Sequence, residues 1–257
     1  MKKIIIAIIL IALSIFVFTN RIKIRFWVEE LTREPVPQPR TAEEFAYQQN
    51  GGGNVLPSSV SLTQEEDELP DEYNLDVPFT SQAPHKEWDE VHEEACEEAS
   101  ALMVHYFYQN KKFSGPDEAE EQIQKFIDFE KEMLGFFEST TAAELAKVID
   151  AYWEYDVDLI YDPSVDIIKQ ALYNGYPVVV PAAGRILDNP HFQDPGPLYH
   201  MLVIKGWKGD SFITNDPGTQ HGENWIYTFD HLLNSTHDWN GGDVENGAKV
   251  ILIMKPR

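Results

Sequence analysis

The polar and apolar positions between Val91 and Tyr108 follow a helical period. Apolar side chains recur there at intervals of three and four residues, which places them on one face of a helix that can pack against a core: Ala95, Ala99, Leu102, Met103, Tyr106 and Phe107. The pattern predicts an amphipathic helix over this stretch. Cys96 then lies in the first turn of that helix.

Further helices and then strands follow toward the C-terminus. Helical spacing predicts helices at 116–134, at 140–153 with Ser139 as the N-cap, and at 165–173. Runs of β-branched and aromatic residues predict strands at 157–160, 177–181, 198–207, 211–218, 225–229 and 249–254. Because the helices come first and the strands follow with short connections, we expect an α+β fold. Its N-terminal helical part, which carries the cysteine helix, is predicted to pack on a C-terminal antiparallel sheet.

The first 70 residues differ from the rest of the chain. Residues 1–26 contain Lys2 and Lys3 followed by an apolar run, and no small-residue cleavage site follows. This pattern predicts an uncleaved signal anchor or transmembrane segment, with the following domain outside the cytoplasm. Residues 27–70 are rich in Pro, Gly and acidic residues, which predicts a flexible linker. The globular domain is expected at 71–257.

The formal net charge of the chain is −23. Nucleic-acid binding needs a basic surface for the phosphates, so this charge argues against a nucleic-acid partner. Cys96 is the only cysteine among 257 residues, so no intrachain disulfide can form.

Cys96 is a candidate nucleophile because of its place in the helix. The N–H groups of a first helical turn have no intrahelical partner, and together with the helix dipole they favour a thiolate. A thiolate is the form that attacks carbonyl carbon. The alternative is that Cys96 fills space in the core, since cysteine is among the most buried residue types.

His200 and Asp216 are candidates for the base and its orienting carboxylate. They lie on two predicted strands joined by a short turn. If that turn centres near Lys208, the two residues face each other across the strands, directly or one diagonal step away. A carboxylate so placed can hold a histidine in the tautomer that a nucleophilic triad requires. The alternatives are a half-buried strand histidine and an aspartate that forms the Asp-Pro-Gly turn.

The motifs VPFTSQAP, EACEEASALMV, YHMLVIKGW and FITNDPG, read together, resemble a known family of cysteine peptidases. This family includes the bacteriocin leader-processing (double-glycine) peptidases and stand-alone bacterial relatives. The resemblance implies a papain-like fold over roughly residues 75–254. It also implies that Cys96 is the nucleophile, His200 the general base and acid, Asp216 its orienter and Gln82 the oxyanion-hole residue.

Two departures from that family concern the neighbourhood of Cys96. Many relatives have Cys-Gly-Pro at the nucleophile, whereas Cys96 is followed here by Glu97 and Glu98. The segment HKEWDEVHEE also lengthens the distance between Gln82 and the cysteine. If Glu97 and Glu98 line the cleft, they select a cationic substrate residue; if they point to solvent, their effect on the thiol is screened.

Two further residues are predicted to contact substrate. Trp88 lies in the inserted segment, and His191 lies in the loop that precedes the His200 strand. The spacing of the histidines matches no standard zinc motif, so no metal site is expected.

The sequence thus predicts a membrane-anchored cysteine peptidase that cleaves peptide or protein substrates and needs no metal or organic cofactor. Two alternatives remain open. The same thiol could transfer its acyl group to an amine in place of water, or the domain could bind peptides or cell-wall material without catalysis.

Overall fold

The computed structural model describes residues 35–45 and 69–257. The expected anchor at residues 1–26 lies outside the described residues, as does most of the expected linker. Over the described ranges, none of the helices has the length and apolar character needed to cross a membrane.

The described chain contains every predicted helix and strand, together with a short N-terminal strand and two short helices that the pattern did not predict. The helices are α1 (Cys96–Tyr108), α2 (Pro116–Leu134), α3 (Ala142–Trp153), α4 (Val165–Tyr173), α5 (Gly184–Leu187) and α6 (Phe229–Ser235), with 3₁₀ turns at His92–Glu94 and Val244–Asn246. The strands are β1 (Glu72–Asn74), β2 (Tyr155–Tyr161), β3 (Val178–Ala182), β4 (His200–Lys208), β5 (Ser211–Asn215), β6 (Trp225–Thr228) and β7 (Val250–Pro256). The predicted spans of α2 and α4 are confirmed residue for residue.

The strands form one sheet in the order β2-β7-β3-β4-β5-β6, and β1 pairs with β4. Every pairing is antiparallel. Strand β4 is central: it pairs with β3 through its first half, with β5 through its second half, and with β1 at its end. A strand enclosed in this way is covered on both faces, and all of β4 except Lys208 is buried, including the polar residues His200 and Lys205.

The pairing of β1 with β4 requires glycine at position 206. A Cβ atom there would lie 2.3 Å from the carbonyl oxygen of Tyr73. The pairing of β4 with β5 also changes register between Ile204 and Gly206, which marks a β-bulge at Lys205.

Helix α1 differs from the predicted amphipathic helix because it is buried on all sides. It packs on β4 and on α2, and its predicted apolar face is buried as expected. Part of the predicted apolar face, including Ala99 and Leu102, packs in a second apolar cluster with Ile123 and Ile127 of α2. Another part, including Phe107, belongs to the main core. Periodicity alone could not show that the helix is covered from two sides.

Helix α3 begins later than predicted. Ser139 has a positive φ of 51° and is not the cap. Thr141 is the N-cap: its side chain accepts from the backbone N–H of Glu144, and the Glu144 side chain accepts from the backbone N–H of Thr141. This reciprocal capping box satisfies two of the groups that every helix start leaves unpaired.

Residues 36–45 of the expected linker belong to the same compact unit as the domain. The backbone of Arg40 bonds to Asn74 and to Asp76, and Phe45 is buried against Gly175. The polar composition of this segment predicted flexibility, but one buried aromatic ring and paired backbone groups order it.

Candidate active site

The cysteine helix begins at Cys96 itself. A 3₁₀ turn at His92–Glu94 leads into Ala95, which is the N-cap and offers no side-chain cap. Cys96 is therefore the first residue of α1, as the sequence predicted, and its side chain is only 4% exposed. The backbone N–H groups of this first turn have no acceptor within the helix.

His200 and Asp216 form a buried pair at the other side of the site. His200 opens β4 and Asp216 follows β5 directly. The Nε2 atom of His200 lies 2.7 Å from Oδ1 of Asp216, and the two residues are 1% and 0% exposed. Contact between these residues was the central prediction from the sequence.

The register that brings them together differs from the predicted one. The turn falls at Gly209 and Asp210, because Lys208 pairs with Ser211, and after the bulge Val203 pairs with Asn215. Continuing this ladder would place Asp216 opposite Leu202, so His200 is one diagonal step away. His200 and Asp216 are in contact because their side chains extend toward each other across that diagonal.

Packing around the imidazole fixes its position. The ring of Phe192 meets the ring of His200 edge-on, with 5.2 Å between centroids. Gly218 lies against the same ring, since a Cβ atom at that position would be 2.7 Å from Cε1 of His200. A larger residue at position 218 would displace the imidazole.

Asp216 is held by more groups than the sequence revealed. Its Oδ1 also accepts from the backbone N–H of Gly218 at 3.0 Å, and its Oδ2 accepts from Nδ2 of Asn189 at 2.9 Å and from the hydroxyl of Tyr227 at 2.7 Å. Burial raises the pKa of Asp216, but the attraction of His200 and these hydrogen bonds outweigh burial and lower it. The carboxylate is therefore stable without water around it.

The sequence did not predict Asn189 and Tyr227 as donors to Asp216, because the positions of both depend on the tertiary structure. Tyr227 is on β6, the neighbour of β5, so the sheet order would have revealed it. Asn189 is in a loop, where no periodicity fixes the direction of a side chain.

Cys96 lies against the start of β4. The backbone N–H of Met201 interacts with its thiol, and the Tyr199 hydroxyl is close enough for its pKa to be raised by Cys96. These two residues flank His200 in the chain. Because Nε2 of His200 is bonded to Asp216, Nδ1 is the ring nitrogen left to exchange a proton with a thiol.

The thiol of Cys96 is not poised as the sequence predicted. Its Sγ–H donates to Oε2 of Glu97 at 2.9 Å. Burial and the Glu97 carboxylate raise the pKa of Cys96 well above its usual range, although the Met201 N–H opposes the rise. The expectation that the helix start favours a thiolate is wrong for this resting arrangement, because desolvation and a buried acid exceed the dipole.

Glu97 and Glu98 do not line an open cleft. They are 1% and 0% exposed, and the charge of Glu130 on α2 raises the pKa of each in addition to the larger effect of burial. The predicted contact of these two residues with substrate would therefore require a change of arrangement that exposes them. Glu98 interacts with Glu130 of α2, whereas Glu97 contacts the Cys96 thiol.

Gln82 is placed near the site but its donors are occupied. Its Nε2 donates to the carbonyl oxygens of His92 at 2.8 Å and Glu93 at 3.2 Å, and its Oε1 is buried without a partner. Its backbone N–H donates to the carbonyl oxygen of Pro217 at 3.0 Å. Gln82 thus connects the turn before Cys96 with the turn after Asp216.

The two other predicted substrate contacts lie at the surface around the site. Trp88 lines an open cavity of about 490 Å³ together with Asp89, Glu90, Val91 and Glu93. His191 stacks on His221 with 4.7 Å between centroids and precedes Phe192, which packs on His200. In the described ranges, no group of three or more His, Cys, Asp and Glu side chains is arranged to hold a metal ion.

A buried His–Asp pair on adjacent strands beside a cysteine at a helix start is an arrangement suited to a cysteine-type peptidase. The sequence matches the model of the Peptidase_C39 like family over residues 74–241. The chain belongs to that family, and it is a cysteine-type peptidase. No curated protein matched the chain.

Several solved structures are similar to this one at low identity. A protein from Bacillus anthracis described as a C39-like peptidase shares 14% identity, with a TM-score of 0.45, over 71% of this chain and 96% of that one. The peptidase domain of Streptococcus ComA, a bi-functional ABC transporter involved in quorum sensing, shares 15%, with a TM-score of 0.40, over 66% and 96%. A double glycine motif protease from an AMS/PCAT transporter, in complex with the leader peptide, shares 18%, with a TM-score of 0.40, over 72% and 94%.

Proposed function

We propose that this chain hydrolyses peptide bonds with Cys96 as the nucleophile, His200 as general base and acid, and Asp216 as the orienter of His200. The observation that carries this proposal is the 2.7 Å contact between Nε2 of His200 and Oδ1 of Asp216. Because Nε2 is engaged in this contact, Nδ1 is the ring nitrogen that can exchange a proton with the thiol. Cys96 meets the residues on both sides of His200.

The reaction begins with proton transfer. Cys96 leaves its hydrogen bond to Glu97 and gives the thiol proton to Nδ1 of His200, and the imidazolium is stabilised by the ionised Asp216. The thiolate attacks the substrate carbonyl carbon. The imidazolium then protonates the leaving amine, which breaks the peptide bond and leaves a thioester on Cys96.

Water completes the cycle. His200 removes a proton from a water molecule that attacks the thioester, and the thiol is regenerated as the acid product leaves. Asp216 stays ionised throughout, because the donors from Asn189, Tyr227 and Gly218 remain in place.

The oxyanion of each tetrahedral intermediate needs donors. The backbone N–H of Cys96 has no acceptor within α1 and supplies one. Gln82 is the second donor in this proposal, and it must exchange its bond to the carbonyl of His92 or Glu93 for the oxyanion. Trp88 and His191 are proposed to contact the peptide on either side of the scissile bond.

We also propose that residues 1–26 anchor the chain in a membrane, from the apolar run that follows Lys2 and Lys3. The full chain should then sediment with membranes and be released by detergent but not by alkaline carbonate. Recovery of the full chain in the soluble fraction would contradict this.

The experiment that tests the catalytic proposal combines digestion with thiol labelling. Cys96→Ala and His200→Ala should abolish cleavage of unfolded protein substrates, and His200→Ala should slow iodoacetamide labelling of Cys96 at neutral pH. His105→Gln is the control, because His105 stacks on Trp153 at the far end of α1. Cleavage that survives in Cys96→Ala would refute the proposal. If the digestion is repeated with an added amine, products in which the acyl group is joined to that amine would identify a transferase.

A further inference from the structure

We propose that Glu97 is a positioning residue of the nucleophile: its buried carboxyl holds the Cys96 thiol in a resting state and releases it to His200 when a substrate is attacked. This role rests on the proposed function of Cys96. It is independent of the family resemblance, which assigns Glu97 no role.

The contact between the two side chains is direct. Sγ of Cys96 donates to Oε2 of Glu97 at 2.9 Å, and both groups are almost fully buried. Among the described residues, the other oxygen of the carboxyl, Oε1, has no hydrogen-bond partner although it is buried. A carboxyl in that setting costs free energy unless it is neutral or well bonded. The thiol is the only side-chain donor that the described part of the chain offers it.

The groups around Glu97 make ionisation of both partners unfavourable at once. They come from four parts of the chain and all are acids: Cys96 and Glu98 on α1, Glu94 in the 3₁₀ turn, Glu130 on α2 and Tyr199 ahead of β4. Burial is the largest effect and raises the pKa of Glu97 to about 8, near the usual range of a thiol. A negative charge on Glu97 therefore opposes a thiolate on Cys96, and the pair binds one proton over a wide pH range.

The hydrogen bond to Glu97 must break before the thiol can react. The thiol proton then passes from Sγ to Nδ1 of His200, so that no proton leaves the site. While Cys96 is bonded to Glu97, its thiol is protected from oxidation and alkylation, because the thiolate is the reactive form.

The test measures iodoacetamide labelling of the full chain against pH. Cys96 is the only cysteine, so the label reports on it alone. Glu97→Gln keeps the shape of the side chain but removes its charge. It should move the midpoint of labelling to lower pH by about one unit, a tenfold change in the ionisation constant, and move the acidic limb of kcat/KM in the same direction.

Glu98→Gln is the matched control, because Glu98 is equally buried but is not bonded to the sulfur. It should shift the midpoint by less than half as much. Equal shifts in the two variants would overturn the proposal, because a general effect of buried charge would then explain them. No shift in Glu97→Gln would also overturn it, because Glu97 would then have no effect on the thiol.

A second measurement needs no variant and so does not depend on folding of a mutant. The S–H stretching band of the unsubstituted chain should lie below the frequency of a thiol without a hydrogen bond, because a carboxyl acceptor weakens the S–H bond. A band at the unbonded frequency would overturn the proposal. Neither readout requires a cleaved peptide, so failure of the catalytic proposal would be seen separately, in the Cys96→Ala digestion.

Discussion

At the scale of single residues, two carboxyl groups in this site have opposite surroundings. Asp216 is buried but accepts hydrogen bonds from Asn189, Tyr227 and Gly218 in addition to its contact with His200, and its pKa is lowered. Glu97 is buried with one hydrogen bond from a thiol, and its pKa is raised to about 8. Burial disfavours both charges. The attraction of His200 and the larger number of donors favour the ionised form of Asp216, whereas neighbouring acids add to the effect of burial on Glu97.

At this scale we predict the effect of removing the hydroxyl of Tyr227. Tyr227→Phe removes one of the two donors on Oδ2 of Asp216, which should cost about 1–3 kcal/mol of stability. It should also lower kcat by roughly tenfold, equivalent to about 1.4 kcal/mol, because the ionised Asp216 stabilises the imidazolium less. Unfolding in urea and the pH profile of kcat check both effects.

Tyr73→Phe is the comparison for that variant. Tyr73 lies on β1, at the opposite end of β4 from His200. Its hydroxyl donates to the carbonyl oxygen of Tyr173 at 3.3 Å. It should change stability without changing the pH profile of kcat. If Tyr227→Phe and Tyr73→Phe behave alike, Tyr227 has only a structural role.

At the scale of elements, the contact between α1 and α2 is unusual because it encloses carboxyl groups. Glu98 of α1 and Glu130 of α2 are each 0% exposed, and they lie close enough for each to affect the pKa of the other. Burial and neighbouring acids raise the pKa of Glu98 well above its usual range, and burial raises that of Glu130 to about 7. These groups are therefore neutral in the folded protein at mildly acidic pH.

This contact makes stability depend on pH. Glu97 and Glu130 have higher pKa values when folded, about 8 and about 7, than the ordinary value of 4.5. The folded state then binds more protons than the unfolded state between these values. The contribution of these two groups to stability is therefore complete below about pH 4.5 and is lost as the pH rises to about 8. Glu130 alone should account for roughly 3 kcal/mol.

Urea unfolding at several pH values from about 5 to 8 measures this loss. Glu130→Gln should flatten the dependence, whereas Glu132→Gln should not, because Glu132 is exposed on the same helix. The pKa of Lys205 is lowered by burial to about 8 from 10.5, so its contribution changes above this window. Stability that stays constant or rises between pH 5 and 8 would contradict the prediction.

At the scale of the whole molecule, charge governs which peptides approach the site. The formal net charge is −23, and the cavity beside Trp88 has acidic walls formed by Asp89, Glu90 and Glu93. A strongly negative surface attracts cationic chains and repels anionic ones over distances that salt shortens. Since Glu97 and Glu98 are buried, we attribute the expected preference for cationic peptides to this exposed wall.

A pair of peptides equal in length, one with lysines and one with glutamines, tests this. Raising the ionic strength from about 0.05 M to about 0.5 M should lower kcat/KM several-fold for the cationic peptide and less than about twofold for the neutral one. Glu90→Lys should weaken the preference at low salt. Glu245→Lys, which makes the same change in net charge in the 3₁₀ turn at Val244–Asn246, should leave it intact if the wall is responsible.

The sequence by itself determined the order and type of the longer elements, because apolar periodicity reports which faces of a helix or strand are buried. It did not predict the short elements β1, α5 and α6. It placed Cys96 at a helix start, and it paired His200 with Asp216 even though the assumed turn was wrong, since a hairpin tolerates a small error in register when side chains reach diagonally. The motifs around these residues were enough to name the family.

Only the tertiary structure decided the electrostatics of the site. The thiol bond to Glu97, the burial of Glu98 and the use of the Gln82 amide all depend on α2 and the 3₁₀ turn, which are distant in sequence or irregular in backbone. Charge effects change several-fold with burial, and burial of a residue is set by what packs over it. A pattern along one chain segment does not contain that information.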